Sequence, residues 1–115
     1  MVHTSDVLSP AQFQDELRRA ARLDPPCLAD NPLAAAVKQI QQNPTFTQSR
    51  LLTRILNALT YERGDFRRAE ISALDSATRA IVMALMNASS AGTTTRAQWE
   101  DAVKAANAAQ LVADG

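Results

Sequence analysis

The chain has 115 residues, 46% of them apolar, and its twelve basic and twelve acidic side chains cancel to a formal charge of zero. That length supports one domain with a real core and excludes two of ordinary size. Three Gly and five Pro among so many apolar residues exclude a disordered chain, and the charge balance argues against a generic nucleic-acid or membrane-surface binder, whose footprint is a large positive excess. Ten Arg against two Lys, with 22 Ala, point to a GC-rich bacterial genome. Cys27 is the single cysteine, so no internal disulfide can form, which fits a reducing compartment. The first residues lack a signal-peptide pattern, and the longest apolar run, AIVMALM at 80–86, is far below the roughly 18–20 residues needed to span a bilayer. A cytoplasmic protein is expected.

Residues 1–8 read as a loose tail carrying the single histidine, His3, a bystander without other ligands nearby. Ser9 and Gln12 then form a capping box with Pro10 at the first helical position, and Leu8 and Phe13 stand as a hydrophobic staple. The predicted helix over 10–23 buries Phe13, Leu17, Ala20 and Ala21, with Asp15 placed to pair with Arg18 and Arg19. It stops before Asp24-Pro25-Pro26, because a residue preceding proline is pushed out of the helical region. Pro25, Pro26 and Pro32 make 24–32 a stiff connector, in which Cys27 reads as a small packing residue. Asn31 caps a helix over 32–42 with Leu33, Ala36, Val37 and Ile40 on one face.

The clearest amphipathic segment is 47–63, with Leu51, Leu52, Ile55, Leu56 and Leu59 on one face, Arg50, Arg54 and Asn57 on the other, and Gly64 as its expected stop. Residues 65–71 read equally as a short helix, an extended connector or the first turns of the next helix. If they are extended, Ser72 with Asp75 caps a helix over 72–89. Its stretch 80–86 is apolar on every side, and such a helix must be wrapped by protein. It is therefore expected to be the central rod. SSAGTTT at 89–95 is a loop, Thr95 and Gln98 form another capping box, and a last helix over 96–109 carries Trp99, Val103 and Ala106 inward. The expected fold is all-α: a compact bundle of about five helices (10–23, 32–42, 47–63, 72–89, 96–109) in one domain over 9–110, with a frayed tail over 111–115.

Chemistry is sparse. One His and one Cys leave no Ser-His-Asp, Cys-His or zinc set. The adjacent carboxylates Asp15-Glu16 and Glu100-Asp101 diverge by about 100° around a helix and do not face one another. No catalytic residue, metal site or cofactor is predicted. Asp75-Ser76 ahead of Val82-Met83-Ala84-Leu85 resembles the acyl and peptidyl carrier proteins, and that resemblance implies a phosphopantetheine arm on Ser76. The chain departs from the family in placing Ala77, not a bulky aliphatic, after the Ser, and in being neutral. Around Gly64 and Gly92 the spacing to Glu70 and Gln98 is similar to an EF-hand loop. The first-half ligand positions there hold Leu59, Tyr61 and Arg63, or Asn87, Ser89 and Ala91, which cannot supply calcium's anionic oxygens.

Six arginines stand against four acids from 50 to 79, so Arg50, Arg54, Arg63, Arg67 and Arg68 form a candidate phosphate- or acid-binding face. The leading expectation is a small non-enzymatic protein–protein interaction or regulatory module, bound to an unidentified protein partner or to a second copy as a homodimer. It rests on two rich apolar helices whose surface three Ala-rich neighbours do not fully cover. The alternatives are a nucleic-acid-binding module using the arginine face and a carrier-like protein modified at Ser76. A groove-reading role for 72–89 is disfavoured, because a recognition helix exposes polar side chains.

Overall fold

The computed structural model describes residues 7–23, 31–62, 64–92 and 94–114, and of residues 20–23, 68 and 114 the backbone alone. In chain order it contains strand β1 (Val7–Leu8), helices α1 (Pro10–Leu23), α2 (Pro32–Gln42) and α3 (Thr47–Tyr61), strand β2 (Phe66–Arg67), and helices α4 (Arg68–Ala73), α5 (Ser76–Ala91) and α6 (Arg96–Asp114). The all-α bundle is as expected. Among the described residues no helix is long and apolar enough to cross a membrane.

Most helix starts follow the capping chemistry. Ser9 Oγ accepts from the Gln12 N–H at 3.2 Å while Gln12 Oε1 accepts from the Ser9 N–H at 2.9 Å, and Thr95 and Gln98 exchange the same pair of bonds at 3.2 and 2.9 Å. Asn31 Oδ1 accepts from the Ala34 N–H with Pro32 at the first position of α2. Each bond satisfies a backbone donor that the helix cannot pair internally.

Several boundaries differ from expectation, among them the loop expected over 89–95, whose first three residues continue α5 as far as Ala91, with Gly92 capping it in the left-handed region. The segment over 72–89 is two helices: Ser72 lies inside α4, Leu74 and Asp75 are extended, and Asp75 caps α5 by accepting from the Thr78 N–H at 2.7 Å. The break is held by the amide of Gln48, whose Nε2 donates to the Ala73 carbonyl at 2.7 Å and whose Oε1 accepts from the Asp75 N–H at 3.1 Å. A side chain from α3 thus supplies the bonds that a continuous helix would have made to itself. The residue that ends α3 is Glu62 rather than Gly64, in the left-handed region at φ 54° and ψ 45°. At the chain ends, Val7 and Leu8 leave the expected tail to pair antiparallel with Arg67 and Phe66, and α6 runs on through Asp114 where fraying was expected after 110.

The connector over 24–30, with Cys27, and the tail residue His3 lie outside the described residues. Ion pairing on α1 also differs from expectation: Arg19 reaches Glu16 at 3.3 Å, and Arg18 donates to Ser90 Oγ of α5 at 3.3 Å.

One contiguous apolar cluster joins the helices. All six residues from Ile81 to Met86 are buried, as a helix without a solvent face requires, and α1, α2 and α3 pack against α5. α3 is equally enclosed, touching α1, α2, α5 and α6. The α3–α6 interface is antiparallel, since partners fall in number along α3 as they rise along α6: Arg96 lies over the Tyr61 ring at 5.4 Å, Asn57 donates to Asn107 at 3.2 Å, and Gln110 donates to Thr53 Oγ1 at 3.3 Å.

Leu56 is completely buried at the meeting of these helices. Leu56→Ala is expected to destabilise the fold by about 2–5 kcal/mol in urea titration, from lost transfer energy plus the cavity left behind. Glu62→Gly is expected to act oppositely, raising stability by about 0.5–1 kcal/mol, because glycine adopts the left-handed conformation without the Cβ clash.

Candidate functional site

The five arginines expected to share a face do not act alike. Arg54 grips Glu70 through both terminal guanidinium nitrogens, Nη1 and Nη2, one bond at 3.2 Å and one closer, and also donates from Nη2 to the Asp65 carbonyl. Its guanidinium lies 5.1 Å from the centroid of Phe66, whose other neighbour is Phe13, stacked at 4.2 Å between centroids with an interplanar angle of 26°. Arg54 is thus a clasp that ties α3 to the β2–α4 segment and, through Phe66 and Phe13, to α1. Glu70 also accepts from the Arg67 N–H at 2.7 Å, where it starts α4. Burial pushes the Glu70 carboxyl up, but the Arg54 and Arg67 hydrogen bonds and charges together outweigh it and hold the group below its ordinary value. Arg50 and Arg67 are exposed. Arg63 and the Arg68 side chain lie outside the described residues, so the arrangement brings Arg54 and Arg67 together around an acid of the chain's own.

The positions resembling EF-hand ligands are also occupied by internal bonds: Glu70 by Arg54, and Gln98 by the Thr95 N–H. Among the described residues no three His, Cys, Asp or Glu side chains converge as a metal site would require. Ser76 is exposed as the first residue of α5, directly after its cap.

What the fold does leave exposed at one end of the bundle are large apolar side chains. The antiparallel register of α3 and α6 carries the last turn of α6 toward the start of α3. The turn between α2 and α3 closes at the same end, with the Phe46 N–H bonded to the Asn43 carbonyl at 3.1 Å and Ser49 Oγ donating to the Gln39 carbonyl at 3.4 Å. The start of α5 joins it, since Gln39 Nε2 donates to Thr78 Oγ1 at 3.0 Å and Gln48 holds Asp75. The described residues include four exposed large apolar side chains, and three of them are here: Phe46 at 61%, Leu111 at 74% and Val112 at 82% exposure.

Beside Phe46 a cleft of about 420 Å³ opens between α2, α3 and α5. Gln39, Gln42, Asn43 and Gln48 line it with carboxamides, Lys38 and Asp75 supply one charge of each sign, and Ala35 and Phe46 complete it. Carboxamides both donate and accept, so this wall suits a neutral polar or aromatic surface rather than a strong anion or cation. A second cleft of about 450 Å³, between α1, α3 and α5, is lined by Ser9, Gln14, Leu59, Glu62 and Ser89 among others. None of the exposed large apolar side chains borders that one.

In the sequence the arginines stand out and this end does not. A signal was present: the inward stripe of α6 runs Trp99, Val103, Ala106 and Gln110, and Leu111 and Val112 fall about 100° and 200° away from its last member, so a helix continuing through them must expose them.

Glu70→Gln is expected to cost about 1 kcal/mol at neutral pH, because it discharges a charge-assisted pair whose Arg54 end is half exposed to solvent screening. Since the Glu70 carboxyl titrates below its ordinary value of 4.5 in the folded chain, its contribution is fully present above pH 4.5 and is lost as pH falls through the folded value. Denaturation of both forms from pH 7 downward should show the difference shrinking below pH 4.5. Compared with protein-family models, characterised proteins and solved structures, the chain matches none.

Proposed function

We propose that this protein is a small non-enzymatic interaction module that docks on another protein through the end of the bundle formed by the α2–α3 turn and the last turn of α6. One observation carries the reading: three large apolar side chains, Phe46, Leu111 and Val112, are exposed at that end, while the side chains of Ile81–Met86 and the inward face of α3 are buried. Phe46 borders the cleft between α2, α3 and α5, and apolar groups left in water at one end of a bundle favour a covering partner. Arg54, the centre of the arginine face, is engaged by Glu70, Asp65 and Phe66. That favours a protein partner over a nucleic acid, because a phosphate would have to displace bonds already made.

Replacing Phe46 by a photoreactive benzoylphenylalanine in cells of the source organism is expected to yield a protein adduct on irradiation. The same replacement at the exposed Ala97, near the opposite end of α6, serves as the control and should yield none. Absence of an adduct at 46, or equal adducts at both positions, contradicts the reading.

A further inference from the structure

The cleft beside Phe46 has the chemistry of a self-complementary surface. Its rim carries one cation, Lys38, and one anion, Asp75. Lys38 is exposed, and no described side chain engages it. Asp75 is exposed and uses Oδ1 to cap α5, leaving the second carboxylate oxygen for an outside donor.

The chain as a whole is neutral, so two copies approach without net repulsion. A surface that presents an aromatic ring at 61% exposure next to a carboxamide-lined cleft of about 420 Å³ holds both halves of one contact. A two-fold interface needs that property, because the same patch must serve as donor and acceptor.

Resting on the interaction-module reading, we propose that the partner is a second copy of this chain, docked about a two-fold axis. Phe46 of each copy enters the α2–α3–α5 cleft of the other, and Lys38 of each pairs with Asp75 of the other. The ring stacks on carboxamide planes that are already positioned: Gln48 is fixed by the α4–α5 break and Gln39 by Thr78. Little side-chain freedom is therefore lost on docking.

Sedimentation equilibrium of the full chain tests this. The wild type is expected to pass from 12.4 kDa to twice that mass as concentration rises. Phe46→Ser should weaken the association at least tenfold, and Lys38→Glu several-fold, through two like-charge contacts per dimer. Asp75→Lys should weaken it as well, and an equimolar mixture of the Lys38→Glu and Asp75→Lys chains should recover it, since each charge again meets its opposite. Asp75→Lys sacrifices a helix cap, so Asp75→Asn, which keeps the cap, is the folding control: it should weaken the dimer with unchanged helical circular dichroism.

A wild type that stays monomeric to millimolar concentration overturns the proposal. So does a dimer indifferent to both Phe46→Ser and Lys38→Glu, or a mixture that recovers nothing although both chains are folded. The docking reading fails separately. A monomer whose position 46 cross-links to a different protein refutes the second copy and leaves that reading standing, and no adduct of any kind removes both.

Discussion

The six consecutive buried residues from Ile81 to Met86 set the constraint that the rest of the fold satisfies. A helix with no polar side over nearly two turns cannot lie on a surface, so other helices must close around it. α1, α2 and α3 do so. Their own amphipathic stripes face inward, and α6 then covers the sides of α2 and α3 that α5 leaves open. The Ala-rich composition suits this arrangement, because small residues such as Ala36, Ala84, Ala102 and Ala106 are buried where helices approach closely.

Polar groups within the packing specify its register. Thr53 Oγ1 donates to the Ser49 carbonyl at 3.0 Å and accepts from Gln110, Asn57 bonds the Thr53 carbonyl at 2.9 Å and Asn107 at 3.2 Å, and Gln39 reaches Thr78. The bonds from Gln110 to Thr53, Asn57 to Asn107 and Gln39 to Thr78 cross between helices, so sliding α6 or α2 by one turn would break them and leave the half-buried amides of Gln110 and Gln39 without these partners. The apolar core alone would accept neighbouring registers more readily. This seam is also what brings the last turn of α6 to the same end as the α2–α3 turn, and so puts Phe46, Leu111 and Val112 at one end of the bundle.

The clasp made by Arg54 has a different role. It gathers Glu70, the Asp65 carbonyl and the face of Phe66 at one guanidinium. The β2–α4 segment, which buries Phe66 and packs Ile71 against the core, is thereby also tied to the bundle through a polar contact, and through the Phe13 stack to the first helix. An arginine held in this way is architecture. The bundle end has the opposite character, with one exposed ring, two exposed aliphatics and charges of both signs left facing outward, and there the proposed docking surface lies.

Local chemistry was legible in the residues themselves. The Ser9–Gln12 and Thr95–Gln98 boxes, Asn31 with Pro32, and the leucine stripe of α3 act over three or four positions, so helix existence, most starts and the inward faces follow from short-range bonding and periodicity. Tertiary structure decided whatever depends on residues distant in sequence. Gln48 of α3 splits the segment over 72–89 in two because it can satisfy Ala73 and Asp75 from outside. Arg54 finds Glu70 sixteen residues away. Val7 and Leu8 become a strand only because Phe66 and Arg67 are there to pair with them. The candidate site belongs to this second group: Phe46 and Val112 are 66 positions apart, and they share one end of the molecule only through the antiparallel packing of α3 and α6.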